Sequence, residues 1–266
     1  MKQPKAFFFD LDGTSYYHKY HDVMPSTLQA WKVLQKKGYR VAIATSRCLK
    51  EMENFRKEVR AFPFDAVISD GGALISERGK VIHRLPISRQ SMHFLQEYCA
   101  EHKIVFRYST QNGDYFSMPC AQEIKAVYFK LYLNVPQVKA YAQEDEVYNV
   151  LLYVPDEQAR KDLMAGLADC AFTDHKSVLE VTDQKANKIT GIEWLCAYWG
   201  MDMEETMAFG DGFNDVEMIK RAGIGVAMGN GEANCKEVAD RVCDRIEQDG
   251  IAKLLKELEI LADEAG

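Results

Sequence analysis

Ala6-Phe7-Phe8-Phe9-Asp10-Leu11-Asp12-Gly13-Thr14 opens the interpretable part of the chain. An apolar run ended abruptly by acids suits a strand covered on both faces, and such strands belong to parallel sheets flanked by helices. Asp10 falls at the carboxyl end of that strand. Asp12 lies two positions on, where the chain must turn back over the sheet edge, and Gly13 permits the turn. Ligands of open parallel sheets gather just beyond the carboxyl ends of the strands. The same residues therefore predict a fold and the place of a site.

The pattern continues outward from there. Pro25-Ser26 opens a helix with Leu28, Trp31 and Leu34 at helical spacing, and Gly38 closes it. Tyr39 to Thr45 reads as a second buried strand, followed by a helix near Leu49–Val59. Asp65 to Ser69 reads as a third strand, stopped by Gly71-Gly72. Alternating strands and helices imply right-handed crossovers and a parallel sheet. The texture changes after about Val81. Pro86-Ile87-Ser88 starts a helix with Met92, Leu95 and Cys99 in register, and alternating stretches Val105–Ser109 and Asp114–Met118 flank the turn signal Gln111-Asn112-Gly113. A strand is predicted over Tyr148–Val154, a helix over Asp156–Leu167 and a strand over Ser177–Val181. Parallel character returns at Thr206–Gly210 and Ile224–Met228, and an amphipathic helix over Gly250–Ala262 ends the chain. The expected fold is α/β: a Rossmann-like parallel-sheet core made of 1–83 and 184–266, with an α/β domain inserted at 84–183.

Composition narrows the function classes. The 266 residues carry 33 basic and 40 acidic side chains, a net charge of −7, which argues against broad nucleic-acid binding. An anionic substrate would need local positive charge. No apolar run reaches the roughly 18 residues of a membrane span, and the apolar stretch near the N-terminus is too short for a signal peptide. A cytoplasmic chain is expected. The seven cysteines are scattered, without a C-x-x-C pair, and read as buried free thiols rather than a zinc site.

A second acidic string, Gly210-Asp211-Gly212-Phe213-Asn214-Asp215, follows another predicted strand. Asp10, Asp12, Asp211 and Asp215 would then converge on one small volume. Carboxylates so close repel unless a proton or a cation intervenes. Oxygen ligands without His or Cys favour a hard cation, and Mg²⁺ is the choice for phosphate chemistry. Thr45-Ser46-Arg47 offers hydroxyls, amides and a guanidinium after the second strand. Lys188, where the chain re-enters the core, can neutralise both a nucleophile and a bound phosphate.

These strings resemble the haloacid dehalogenase superfamily, and within it the Cof-like, subclass IIB sugar-phosphate phosphatases. The resemblance rests on FFFDLDGT, Thr45, Lys188 after an insert of about a hundred residues, GDGFNDVEMI, GVAMGNG and the closing DRIEQDGIAKLLKEL, and it spans nearly the whole chain. It implies that the inserted domain is a cap and that the substrate is a small phosphorylated metabolite. It further implies that Asp10 attacks phosphorus and ligates Mg²⁺. Asp12 would act as general acid and base and lend its backbone carbonyl to the metal. Thr45, with Ser46 and Arg47 beside it, Lys188 and Asn214 would hold phosphoryl oxygens, and Asp211 and Asp215 would complete the metal site. Three positions depart from the usual pattern. Ser46 replaces a Gly, Gly71-Gly72-Ala73 replaces Asn-Gly-Ala, and Ile189 follows the motif lysine where Gly is common. The second change bears on substrate preference.

A phosphomutase using the same Asp pair, and a non-catalytic regulator binding a phosphometabolite, stand as alternatives. Dehalogenation fits less well, because Asp12 supplies an acid/base that dehalogenases lack. His18 and His21, spaced H-x-x-H without a third ligand, read better as entrance residues than as metal ligands, and the neighbouring Tyr16, Tyr17 and Tyr20 as packing against the insert.

Overall fold

A computed structural model describes residues 3–175 and 178–261. Its main sheet has eight strands, in the order Arg241–Val242, Ile224–Ala227, Thr206–Gly210, Ala6–Phe9, Arg40–Ala44, Ala66–Ser69, Leu74–Glu77 and Lys80–Arg84. Pairing is parallel from Arg241–Val242 through Ala66–Ser69, and the last two strands add on antiparallel. Ala6, Phe7, Phe8 and Phe9 are fully buried at the centre, as their unbroken apolar run requires. Phe7 and Phe9 pack with Trp31 and Leu34 on one side; Phe8 packs with Ile192 and Leu195 on the other.

Register decides where the chemistry lies. Phe9 is opposite Phe209 on one neighbour and Ile43 on the other, so Asp10, Asp211 and Thr45 leave the sheet at one edge. A helix over Lys188–Trp199 starts at that edge, capped by Asn187, whose side chain accepts from the Ile189 amide at 3.0 Å, and it ends at Gly200 with φ +68°.

Gly72 makes that helix start possible. Its φ is +108°, and a Cβ there would lie 2.2 Å from the Asn187 carbonyl oxygen. Gly72→Ala is therefore expected to destabilise the protein by about 2–4 kcal/mol. Gly79→Ala, also at positive φ (+80°) but with nothing within 4 Å, should lose only about 1 kcal/mol. Equal urea midpoints for the two variants would show that the close approach to Asn187 does not matter.

A second sheet of six strands runs in the order Gln137–Val138, Gly113–Phe116, Phe106–Thr110, Asn149–Leu152, Leu179–Asp183 and Cys170–Asp174. All its pairings are antiparallel except Gln137–Val138 with Gly113–Phe116. Helices Arg89–His102 and Glu157–Gly166 pack against it through Leu95 and Leu163. No helix among the described residues is long and apolar enough to cross a membrane.

Several boundaries differ from expectation. The helix expected near Leu49–Val59 is a tight turn at Leu49–Asn54 and a short helix at Lys57–Arg60. Between them Phe55 is extended, and its ring stacks on Tyr16 at 5.4 Å. The last helix ends at Glu257, and Ala262 lies outside the described residues. Ser177, placed at the start of a strand, also lies outside them; the observed strand is Leu179–Asp183. Helix Gln122–Lys130 was not legible, because its apolar residues Val127 and Phe129 face outward.

Candidate active site

At the carboxyl edge of the main sheet, Asp10, Asp211 and Asp215 each offer an oxygen within 4.8 Å of the others. Lys188 Nζ donates to Asp10 Oδ1 at 2.6 Å and to Asp215 Oδ1 at 2.7 Å. The other Asp215 oxygen accepts from the backbone amides of Asp211 and Gly212, both at 3.0 Å. Thr14 Oγ1 donates to Asp211 Oδ1 at 2.7 Å. Gly13, at φ +83°, leaves room for that carboxylate, since a Cβ there would lie 2.2 Å from Asp211 Oδ2. Asn230 Nδ2 donates to the Gly13 carbonyl at 2.7 Å, and its Oδ1 accepts from the Ile246 amide at 2.9 Å, which pins the loop.

Asp10, Asp215 and Lys188 are all buried. Burial, with the Asp215 charge next to it, pushes the Asp10 carboxyl well above the ordinary range, against the pull of Lys188. Burial works to lower the Lys188 ammonium, but Asp10 and Asp215 together hold it above its ordinary value. Asp211 is pushed up to about 6 by burial, partly opposed by the Thr14 hydrogen bond. Three carboxylates and one ammonium, fully ionised, leave two negative charges uncompensated. An all-oxygen donor set with that deficit fits a hard divalent cation.

The remaining predicted residues arrange themselves differently. Asp12 turns its carboxylate to Arg47, which donates from Nε at 2.7 Å and Nη2 at 2.6 Å in a two-pronged pair. Arg47 is itself buried and lies over the rings of Tyr16 (4.4 Å) and Phe55 (5.1 Å). Thr45 is buried and accepts from the Arg47 amide at 3.1 Å. Ser46 accepts from Asn214 Nδ2 at 2.9 Å, joining two loops. His18 Nε2 approaches Asp12 Oδ1 to 3.3 Å, whereas His21 packs on the Tyr132 ring. Thr14 and Asn230 stand inside the strings FFFDLDGT and GVAMGNG, but sequence reasoning gave neither a role; their contacts with Asp211 and the Gly13 carbonyl supply it.

A cavity of about 380 Å³ separates this edge from the second sheet; Ser46, Lys188 and Asn214 line it on one side and Glu180 and Thr182 on the other. A polar seam joins the two parts. Ser109 donates to Asp70 at 2.5 Å, and Arg107 reaches Cys48 Sγ at 3.0 Å and Glu51 at 3.2 Å and pairs with Asp114. A larger cavity of about 1020 Å³, lined by Arg40, Phe62 and Asp65 among others, includes none of the residues of the site, whereas the smaller one reaches it through Ser46, Lys188 and Asn214.

Residues 7–255 match a family described as haloacid dehalogenase-like hydrolase. The chain is 30% identical over 267 residues to YkrA of Bacillus subtilis (strain 168), provisionally named a phosphatase, covering 97% of this chain and 98% of that one. It is 26% identical over 277 residues to YitU of the same organism, a 5-amino-6-(5-phospho-D-ribitylamino)uracil phosphatase, covering 96% of this chain and 97% of the other. Among solved structures, a subclass IIB sugar phosphatase of the haloacid dehalogenase superfamily aligns with a TM-score of 0.82 at 28% identity, covering 96% of this chain and 99% of that one.

Proposed function

Given that this chain belongs to the haloacid dehalogenase-like hydrolases and is a phosphatase, we propose that it hydrolyses a small phosphomonoester by transfer of the phosphoryl group to Asp10. The observation that carries this reading is a buried carboxylate at a strand end, held by a buried ammonium and flanked by two more acids.

In the first step an Asp10 oxygen bonds to phosphorus as the bond to the leaving oxygen breaks, and Asp12 gives that oxygen a proton. In the second, water attacks the aspartyl-phosphate, Asp12 takes the water's proton, and phosphate leaves with Asp10 restored. Thr45, Ser46, Lys188 and Asn214 hold phosphoryl oxygens. Asp10, Asp211, Asp215 and the Asp12 backbone carbonyl would hold Mg²⁺, which supplies charge neutralisation between nucleophile and phosphate. To act as acid, Asp12 must exchange the Arg47 guanidinium for the leaving oxygen. Residues 84–183 act as a cap that closes over the site and excludes water.

The test is phosphate release from a panel of phosphorylated metabolites, with Mg²⁺ and with chelator, beside an Asp10→Asn control. Sugar and polyol phosphates and 5-amino-6-(5-phospho-D-ribitylamino)uracil belong in the panel. Release that requires Mg²⁺ and vanishes in the control is expected; release from none of the substrates would overturn the reading.

Metal binding should also depend on pH. Asp211 titrates near pH 6 in the metal-free protein, above its unfolded value. Its contribution to stability is therefore fully present at pH 3–4 and lost as pH rises through about 6. Mg²⁺ needs the ionised form, so the rise in melting temperature on adding Mg²⁺ should be several-fold larger at pH 8 than at pH 5. An equal rise at both pH values would place the ion elsewhere.

A further inference from the structure

The second sheet turns a polar face toward the catalytic edge. In its register Thr173 stands opposite Glu180 and Ala171 opposite Thr182, and all four line the cavity above Ser46, Lys188 and Asn214. Glu180 is only 8% exposed. A carboxylate at such depth is costly unless it is held by hydrogen bonds. Here Asn149 Nδ2 donates to Oε1 at 2.6 Å, and His175 Nε2 lies 2.8 Å from Oε2. Asn149 is fixed in turn by Arg107, whose Nη1 donates to its Oδ1 at 3.0 Å. The carboxylate is thus aimed by a row of side chains crossing three strands. Among the described residues each oxygen has a single protein partner, and an ionised carboxylate accepts about four hydrogen bonds in all. Acceptor capacity is left facing a cavity whose far wall contains Lys188.

We propose that Glu180 forms a subsite for the organic part of the substrate, accepting hydrogen bonds from hydroxyl or amino groups and rejecting leaving groups that carry a second negative charge. The assignment rests on the phosphatase reading above, since Lys188 fixes the phosphate end of the cavity. An anion placed against a buried carboxylate is disfavoured by charge repulsion and by the hydrogen bonds it cannot donate, whereas a hydroxyl or ammonium satisfies the oxygens. His175 is half exposed, and its hydrogen bond to Glu180 holds its imidazolium above the ordinary value, so it partly shields the carboxylate.

Three phosphomonoesters on one six-carbon skeleton test this: glucosamine 6-phosphate, glucose 6-phosphate and 6-phosphogluconate, which differ in charge away from the phosphate. The wild-type enzyme should favour the first two over the third by at least about tenfold in kcat/KM. Glu180→Gln should raise kcat/KM for 6-phosphogluconate about tenfold or more while lowering it for glucosamine 6-phosphate. A gain for one substrate is something that loosened packing does not produce. His175→Gln, at an exposed position, should move 6-phosphogluconate the other way, because it removes the shielding cation. The proposal is overturned if the wild type does not discriminate, if Glu180→Gln changes all three substrates in parallel, or if neither variant shifts the ratio. Absence of phosphate release from every ester, with Mg²⁺ present, would instead count against the phosphatase reading itself.

Discussion

Asp10→Asn is expected to lower phosphate release by on the order of 10⁴-fold or more, the scale seen when a covalent nucleophile is removed, with the fold retained. An amide has the shape of the carboxylate, and its oxygen can still accept from Lys188, which lies 2.6 Å from Asp10 Oδ1. It lacks the negative charge that burial and Asp215 make unfavourable. Because the folded-state value of Asp10 is raised, ionisation weakens the metal-free wild type as pH climbs above the unfolded value near 4. The variant escapes that loss. In chelator, its melting temperature should match the wild type at pH 4 and exceed it increasingly toward pH 8. Near-wild-type turnover would remove Asp10 from the mechanism. A melting temperature several degrees below wild type at pH 8 would show that charge crowding does not limit stability here.

Much of this site could be read from sequence because buried parallel strands write themselves as unbroken apolar runs. Ala6–Phe9 and Thr206–Gly210 are such runs, and each is followed directly by an acid that register then places at one edge. Lys188 carried no local signal beyond its place after the insert; its role shows only in the two hydrogen bonds that bury it. The pairing of Asp12 with Arg47 spans 35 positions, and no periodicity reports a contact of that kind. Nor could the edge strand Lys80–Arg84 be recognised, since it is half exposed and largely polar. The turn at Leu49–Asn54 was misread as helix because Phe55 has apolar helical spacing but spends its side chain on Tyr16 and Arg47. Glu180 was not singled out in the sequence, since its burial and its contacts with Asn149 and His175 arise only in the folded second sheet.

Lys188→Met should have the largest effect on stability of any single change at the site. Methionine keeps much of the volume but removes the cation that two buried carboxylates share, at 2.6 and 2.7 Å. Breaking a buried ion pair by deleting one partner typically loses about 3–5 kcal/mol, because the remaining charge is left without compensation. In chelator at pH 8 a loss of that order is expected. It should shrink as pH falls, since a proton within the acidic cluster can take the place of the ammonium. Turnover should fall by roughly 10²–10³-fold even with Mg²⁺ present, because charge developing on the phosphoryl oxygens loses a fixed partner. A double-mutant cycle separates charge compensation from packing. In an Asp10→Asn background one of the two carboxylates is already neutral, so Lys188→Met should lose at least about 1 kcal/mol less than it does alone. If the two losses simply add, and if the single variant is as stable at pH 8 as at pH 5, Lys188 is held there by packing and not by the charges it joins.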